Sequence, residues 1–177
     1  MTKKSAGILL YRLDNGYLEV MLVHLGGPFW AKKDLGSWSI PKGEFTDEEV
    51  PLDAAKREFH EEIGTEISGE FIELSTIKQK SGKIVYSWAL QGDLDTSKIK
   101  SNTFEMEWPP KSGKMQKFPE IDRGDWFNVQ GAKEKINPSQ VALIDELITK
   151  LHLTEKQLSG PASPNKKTPA PPQIDLF

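Results

Sequence analysis

The stretch that decides the fold runs from Gly43 to Gly64 and reads GEFTDEEVPLDAAKREFHEEIG. Pro51 suits the first turn of a helix, and Leu52 to Ile63 contain no further helix breaker. Gly64 is placed to end this helix as a left-handed cap. The sequence therefore predicts a helix of about twelve residues, preceded by an acidic loop.

Three glutamates on this helix are spaced to share one face. Glu58, Glu61 and Glu62 stand at i, i+3 and i+4, so their carboxylates lie close together. Three like charges repel one another unless a cation intervenes, so the pattern is typical of a site for a hard metal. Mg²⁺ is the natural occupant and Mn²⁺ the next. The competing interpretation is a solvated helix whose acidic residues face water.

Two further residues of the stretch are expected to support the metal ligands. Arg57 lies four residues before Glu61, and Glu49 in the preceding loop is a second candidate partner for its guanidinium. Gly43 is expected to adopt a backbone conformation closed to other residues, which lets its carbonyl or the neighbouring amides approach a metal or a phosphate.

The spacing of these residues resembles the Nudix box, the signature of the Nudix hydrolases. The matching positions are Gly43, Glu49, Arg57, Glu58, Glu61, Glu62 and Gly64. One position departs, because Thr65 stands where the pattern has a bulky aliphatic residue. The resemblance implies a metal-dependent hydrolase, in which water attacks a phosphorus atom of a nucleoside diphosphate linked to another group.

The resemblance also implies roles for individual residues. Gly43, Glu58, Glu61 and Glu62 would bind the metal, and Arg57 would orient a ligand. Family members also recruit a general base from outside the box, for which the candidates here are Glu105, Glu107 and Glu120. Glu120 is favoured, because many relatives carry an acidic residue shortly before a Trp-Phe pair such as the one in FPEIDRGDWF.

Length and composition limit the remaining choices. The 177 residues suffice for one domain with a good core and are too few for two ordinary domains. A net charge of −3 gives no overall attraction to nucleic acid, so we predict no direct nucleic-acid binding. An anionic substrate, a nucleotide or another diphosphate-containing small molecule, must therefore be attracted by local lysines and by metal.

Cysteine content and the N-terminal sequence indicate the compartment. The chain has no cysteine, which excludes disulfides and thiolate metal sites and fits a reducing interior. The first apolar run is interrupted by Arg12 and Asp14, so it is too short for a signal peptide or a membrane span. We expect a cytoplasmic protein without a membrane segment.

Two hairpins and a terminal helix are predicted around the box. Ser5–Leu13 and Tyr17–Leu25 flank an Asp-Asn-Gly turn, and the runs 71–79 and 83–90 flank a Ser-Gly turn. A short extended piece, Trp38–Pro41, precedes the box. After Asn137 and Pro138, which suit a helix start, one apolar stripe is formed by Val141, Ile144, Ile148 and Leu151.

This order of elements allows an α/β fold, and the resemblance implies the Nudix-type α/β/α sandwich with a mixed β-sheet. The resemblance covers residues 5–153. We predict a hydrolase domain over residues 1–158 and a separate tail over residues 159–177.

The segment GGPFWAKKDLGSWSIPKGE, residues 26–44, is expected to line the substrate site. Its Pro-Lys-Gly end resembles that of family members acting on dinucleoside polyphosphates or inositol pyrophosphates, so Lys42 would meet phosphate. Lys32 and Lys33 are candidates for the same role, with ordinary solvated lysines as the alternative. Trp30 and Trp108 are candidates for stacking on a base.

Other aromatic and polar residues have simpler expected roles. Packing is favoured for the three tryptophans Trp38, Trp88 and Trp126, and structural roles for His24 and His60. The polar run Asn102–Phe118 is expected to be a long loop, either a substrate loop or a flexible insertion.

The tail has its own signal. Residues 159–177, SGPASPNKKTPAPPQIDLF, are rich in proline and predict a disordered tether. The final Gln173–Phe177 resembles the pentapeptide by which bacterial proteins bind the replicative sliding clamp, with Ile174 in place of leucine. The competing interpretation is a terminal segment that folds back on the domain.

Three functions remain open from the sequence. The first is a Mg²⁺-dependent hydrolase of nucleoside polyphosphates, with dinucleoside polyphosphates favoured. The second is a low-activity nucleotide-binding module, which the complete set of box glutamates disfavours. The third is a pyrophosphohydrolase that sanitises damaged nucleoside triphosphates.

Overall fold

The computed structural model describes residues 2–162, which form a mixed β-sheet between two layers of helices. Within these residues the seven strands of the main sheet are β1 (Lys4–Asp14), β2 (Tyr17–Leu25), β3 (Trp38–Ser39), β4 (Lys42–Phe45), β5 (Ile72–Lys78), β6 (Ile84–Gln91) and β9 (Ile121–Asn128). A separate two-stranded sheet consists of β7 (Thr103–Glu107) and β8 (Met115–Pro119). The helices are α1 (Pro51–Ile63), α2 (Val129–Lys135), α3 (Val141–Lys150) and α4 (Glu155–Leu158). The predicted α/β fold is confirmed.

Both predicted hairpins of the main sheet are present. β1 and β2 pair antiparallel across a turn in which Asn15 has φ 51° and Gly16 has φ 84°. Such positive φ values match the twist of the flanking strands, which is why Asn-Gly occurs at this turn. β5 and β6 pair in the same way, and Gly82 in their turn has φ 90°.

The centre of the sheet contains a branch point. β1 and β2 pair only close to their turn, from Tyr11 opposite Val20 to Asp14 opposite Tyr17. Beyond that point each strand takes another partner, because β3 pairs with β2 and β4 pairs with β1. The chain just before α1 is therefore inserted between the two strands, and the start of the box lies in the middle of the sheet.

Each face of the sheet buries its own apolar cluster. On one face, α1 contributes Ala54, Ala55, Phe59 and Ile63. Full burial of a side chain such as Phe59 stabilises the fold by about 1.5–3 kcal/mol. These contacts fix α1, and with it the glutamates of the box, against the sheet.

The second face is covered by α2 and α3. The predicted stripe of α3 is core, since Ile144 is fully buried and the other three members pack against the same cluster. The deepest positions also include Leu143 and Leu147, which were not predicted. Helix α2, VQGAKEK, was not predicted either, because it is short and carries an internal glycine.

The predicted loop over Asn102–Phe118 is wrong, because most of this run forms the β7–β8 hairpin. The two strands place Phe104 opposite Phe118, with ring centroids 6.0 Å apart. Alternation along β7 leaves Phe104 and Met106 partly buried while Glu105 and Glu107 are exposed. That period of two is the strand signal, which the polar and proline-containing composition obscured.

The described contacts at the C-terminal end include Gly160. The side-chain amide of Asn128 donates to the carbonyl oxygen of Gly160 at 3.0 Å, and Gly160 packs on Tyr17. The predicted tether and the clamp motif Gln173–Phe177 fall largely or wholly in residues 163–177, outside the described residues. Over residues 2–162, no helix has the length and apolar character needed to cross a membrane.

Candidate active site

The box helix begins and ends as its sequence predicts. Pro51 is its first residue, and Gly64 has φ 84° and donates its backbone N–H to the carbonyl of His60 at 2.8 Å. Glu58 and Glu62 are buried on the inner side of the helix, whereas Glu61 is partly exposed. Thr65, the position that departs from the box pattern, is half-buried, and Ile67 enters the core two residues later.

Gly43 is required for a different reason from the one predicted. It is absent from the described residues with positive φ, so its backbone conformation is open to other residues. A Cβ atom at this position would instead lie 1.9 Å from Oε2 and 2.0 Å from Cδ of Glu58. The missing side chain makes room for the Glu58 carboxylate against β4.

Arg57 connects both predicted partners. Its Nε and Nη2 donate to the two oxygens of Glu49 at 2.9 and 2.8 Å, which is the bidentate geometry of an arginine–carboxylate pair. Its Nη1 donates to Glu58 at 2.8 Å and to both oxygens of Glu61 at 3.2 Å. These bonds, the Glu49 fork first, raise the pKa of Arg57. One guanidinium therefore sets the orientation of three carboxylates.

The surroundings of Glu58 and Glu62 disfavour the charged form of both carboxylates. Burial, and to a smaller extent repulsion by Glu58, hold the pKa of Glu62 well above its usual range, although the backbone N–H of Lys42 donates to Oε2 of Glu62 at 3.1 Å. Burial likewise raises the pKa of Glu58, against the lowering effect of Arg57. Both groups would be stabilised as anions by a nearby cation.

Of the three candidate bases outside the box, Glu120 is the one placed beside the box carboxylates. Burial, followed by repulsion from Glu61, raises the pKa of Glu120. Backbone hydrogen bonds fix this position. The N–H of Glu120 donates to the backbone carbonyl of Asn102 at 2.8 Å, and the N–H of Asn102 donates to the backbone carbonyl of Glu61 at 2.9 Å. Glu105 and Glu107 are exposed on the β7–β8 hairpin.

A pocket of about 280 Å³ opens beside the buried Glu62. Trp30, Lys42 and Glu62 line it, as does Lys83 in the turn of the β5–β6 hairpin, directly before β6. Burial, and next the neighbouring charge of Lys83, lower the pKa of Lys42. Lys83 also contacts Glu44, with its Nζ 3.0 Å from Oε1. It was missed in the sequence because only tertiary structure brings this hairpin to the box.

The remaining predicted substrate residues lie on the segment from 26 to 37, except for Trp108 on the β7–β8 hairpin. Lys32 and Lys33 are exposed, and Nζ of Lys33 lies 4.8 Å from the centroid of the Trp30 ring. Trp108 contacts Phe29 rather than the pocket lined by Trp30. The structure therefore brings Trp30 and Lys42 together at one pocket, leaves Lys32 and Lys33 exposed, and places Trp108 outside the lining of this pocket.

His24 has the predicted structural role. It is fully buried, with Nδ1 2.9 Å from Oδ1 of Asp122 and Nε2 2.6 Å from the carbonyl oxygen of Lys33. It thereby fastens the segment 26–37 to β9. Packing is also confirmed for the three tryptophans Trp38, Trp88 and Trp126.

Comparison with known protein families assigns this chain to a family. A profile of the NUDIX domain matches residues 1–147, which is most of the chain. The chain belongs to the NUDIX family. The predicted Nudix hydrolase, a pyrophosphohydrolase, is confirmed by this membership. A search of curated proteins found no match.

Solved structures share the Nudix fold at low sequence identity. The binary complex of a C. elegans Ap4A hydrolase superposes with a TM-score of 0.59 at 20% identity, covering 84% of this chain and 98% of that one. A second structure of C. elegans Ap4A hydrolase gives 0.54 at 21% identity, with 85% and 99% covered. The NUDIX domain of Shewanella oneidensis NrtR complexed with ADP ribose gives 0.57 at 16% identity, with 85% and 89% covered.

Nudix hydrolases generally use divalent metal ions, and the donor set of this Nudix box fits one. Among residues 2–162, no three His, Asp or Glu side chains already surround a common point as metal ligands. Glu58 and Glu61 instead face the guanidinium of Arg57. The fit rests on the oxygen donors themselves, on the space left by Gly43, and on the buried negative charge of Glu58 and Glu62 that a hard cation would offset.

Proposed function

We propose that this protein is a Mg²⁺-dependent hydrolase that cleaves a pyrophosphate bond in a nucleoside polyphosphate, with dinucleoside polyphosphates as the favoured substrates. The observation that carries the proposal is the pocket in which Lys42 and Lys83 stand beside the buried Glu62. Two lysines suit an anionic phosphate chain, and the glutamates suit the cation that binds it. Opposite charges are thus arranged next to each other at one site.

In this proposal Glu58, Glu61, Glu62 and the carbonyl group of Gly43 would hold the metal. When bound, Mg²⁺ activates water and neutralises charge on the phosphate oxygens. Arg57 keeps Glu58 and Glu61 oriented through its fork on Glu49. The chain itself then supplies positioning, which is the main demand of phosphoryl transfer.

Glu120 is the proposed general base. Its raised pKa, caused by burial and by Glu61, brings it closer to the range in which a carboxylate accepts a proton from water near neutral pH. Lys42 and Lys83 bind the phosphates, and Trp30 forms the wall on which a base stacks. Lys32 and Lys33 contribute positive charge near the entrance, where both are exposed.

The preference for dinucleoside polyphosphates rests on the Pro-Lys-Gly sequence before the box and on the shared fold with the C. elegans Ap4A hydrolase. The fold alone also accommodates a NUDIX domain in complex with ADP ribose, as in S. oneidensis NrtR. A nucleotide-binding module without turnover and a sanitising nucleoside triphosphate pyrophosphohydrolase are therefore the outcomes that an experiment must separate.

The test is a substrate screen with Mg²⁺, and separately with Mn²⁺, over nucleoside triphosphates, dinucleoside polyphosphates, nucleotide sugars and inositol pyrophosphates. Products formed in isotopically labelled water identify the phosphorus atom that is attacked. We expect turnover of dinucleoside polyphosphates, lowered by orders of magnitude in Glu58→Gln and Glu61→Gln with the fold intact. Preference for a damaged triphosphate would replace this substrate class, and no metal-dependent hydrolysis would overturn the enzyme.

The clamp-binding hypothesis for Gln173–Phe177 rests on the sequence alone, as does the cytoplasmic location. Deletion of these five residues should abolish binding to a bacterial sliding clamp and leave hydrolysis unchanged. Clamp binding that survives the deletion would remove the hypothesis. Fractionation of cells producing the full chain tests the location.

A further inference from the structure

Two aromatic side chains from distant parts of the chain meet at the surface. The rings of Phe29 and Trp108 have centroids 5.4 Å apart and planes at 80°, an edge-to-face contact. Phe29 is 58% exposed, and neither residue belongs to the two core clusters of residues 2–162. The packing of the core therefore does not account for this pair.

The segment that carries Phe29 reaches the active site at two points. On the segment that carries Phe29, the N–H of Gly26 donates to the carbonyl of the proposed base Glu120 at 2.8 Å. The next residue after Phe29 is Trp30, which lines the pocket of Lys42. Phe29 thus stands on the segment that connects the proposed base with the proposed phosphate site, and Trp108 contacts it from the β7–β8 hairpin.

Close backbone approach holds the segment against the β7–β8 hairpin. A Cβ atom on Gly26 would lie 1.9 Å from the carbonyl oxygen of Pro119, and one on Gly27 would lie 2.9 Å from the ring of Phe104. Glycines at these two positions therefore allow the segment to lie directly on the hairpin. The contact between Phe29 and Trp108 continues this interface outward.

Hydrogen bonds anchor the backbone of both elements that carry the pair. The N–H of Trp108 donates to the carbonyl of Lys114 at 2.9 Å, and Nε2 of Gln116 donates to the carbonyl of Trp108 at 2.7 Å. On the other element, His24 holds the carbonyl of Lys33. Aromatic rings on anchored backbone lose little conformational entropy when a planar group stacks on them.

We propose that Phe29 and Trp108 form a second base-stacking subsite, which binds the heterocyclic base of the nucleotide on the far side of the cleaved bond. The proposal rests on the proposed function and deepens it, because it names the leaving group as a nucleoside phosphate. Phe29 is next to Trp30 on one segment, and Trp108 contacts Phe29 from the β7–β8 hairpin, so a polyphosphate chain passing Lys42 and Lys83 has one aromatic surface for each base. The two nearly perpendicular rings form an aromatic corner that accepts any base, since every base has a π-face.

The test compares two ligands that differ by one base. The probes are methylene-bridged, non-hydrolysable analogues of diadenosine tetraphosphate and of adenosine tetraphosphate, titrated calorimetrically into the full chain with Mg²⁺. We expect the two-base ligand to bind about tenfold more tightly to the wild type, a typical gain for one stacked base. Trp108→Ala should abolish that difference without changing the affinity for the one-base ligand.

Three variants keep the result specific. Phe29→Ala removes a ring that is already 58% exposed, so folding should be unaffected, and it should reduce the difference between the ligands. Trp108→Phe retains an aromatic ring, so it should keep the difference in affinity between the two ligands that Trp108→Ala abolishes. Met115→Ala removes a 62% exposed apolar side chain from the same hairpin and should change neither affinity.

Equal affinity of the wild type for the two ligands, binding of neither, or equal weakening of both by Trp108→Ala would overturn the subsite. Hydrolysis is measured separately on diadenosine tetraphosphate. No turnover together with the base-dependent difference in affinity would overturn the proposed function alone. Turnover without that difference would overturn the subsite alone.

Discussion

Gly43 and Glu58 occupy one volume, because a Cβ atom on the glycine would lie 1.9 Å from Oε2 of the glutamate. The two residues lie on different elements, β4 and α1, which the sheet branch point brings together. Glycine is thus needed at position 43 so that the carboxylate of Glu58, a proposed metal ligand, has room.

Gly43→Ala should displace the Glu58 carboxylate. We expect a loss in kcat of at least about 100-fold, as for a misplacement of about 1 Å in a catalytic group. The overpacking should also lower the free energy of unfolding by about 1–3 kcal/mol. In a Glu58→Ala background, where the clash is removed, chemical denaturation should show little further cost. An equal cost in both backgrounds would show that Glu58 is not the reason for the glycine.

Arg57→Lys should loosen the carboxylates without removing positive charge. A lysine has no planar fork, so the bidentate contact with Glu49 is lost, and Glu58 and Glu61 lose their orientation. We expect metal affinity or kcat to fall about 10- to 100-fold, the usual effect of losing a group that orients metal ligands. Metal titration and steady-state kinetics measure both. Glu49→Gln is the matched variant, because it alters the carboxylate that accepts both hydrogen bonds from Arg57. Unchanged metal affinity and kcat in both variants would show that Arg57 does not orient the metal ligands.

Glu62→Gln should stabilise the metal-free protein while impairing activity. The folded state raises the pKa of Glu62, chiefly through burial, so its contribution to stability is present below the unfolded-state pKa and is lost as pH rises through the folded value. Thermal melts in a chelator should therefore show a higher Tm for the variant near neutral pH and little difference at acidic pH. The exposed Glu66→Gln serves as the control. A lower Tm of Glu62→Gln near neutral pH would contradict the argument.

Glu120→Gln tests the general base. We expect kcat to fall by about 10²- to 10⁴-fold and the acidic limb of the pH–rate profile to disappear, with the melting temperature retained. Glu105→Gln, an exposed carboxylate on the neighbouring hairpin, should behave like the wild type. If both variants keep normal kinetics, the base must be one of the box glutamates.

Lys83→Ala should weaken phosphate binding more than turnover. Because Lys83 lines the pocket with Lys42, its removal should raise KM about tenfold, equivalent to about 1.4 kcal/mol. It should also raise the pKa of Lys42, since the neighbouring like charge is lost. Lys80→Ala in the same turn, where the side chain is exposed, is the control for a general loss of charge. A similar KM for the two variants would remove Lys83 from the site.

The sequence by itself determined the elements whose signals are local. Pro51 and Gly64 set the limits of α1, and the spacing of Glu58, Glu61 and Glu62 within one turn set their common side of the helix. Asn15 and Gly16 determined the first hairpin, because few residue pairs tolerate positive φ at consecutive positions. Caps, turns and helical spacing depend on neighbours a few residues away, so one sequence suffices to read them.

Only the tertiary structure decided which distant groups meet. It brought Lys83 beside Lys42, placed Glu120 rather than Glu105 next to the box, and gave Gly43 a steric role in place of the predicted backbone one. It also turned the predicted loop after Asn102 into a hairpin, because cross-strand pairing such as Phe104 with Phe118 is not visible in the composition. Such contacts depend on strand pairing and packing between elements far apart in the chain, and no local pattern encodes their distances.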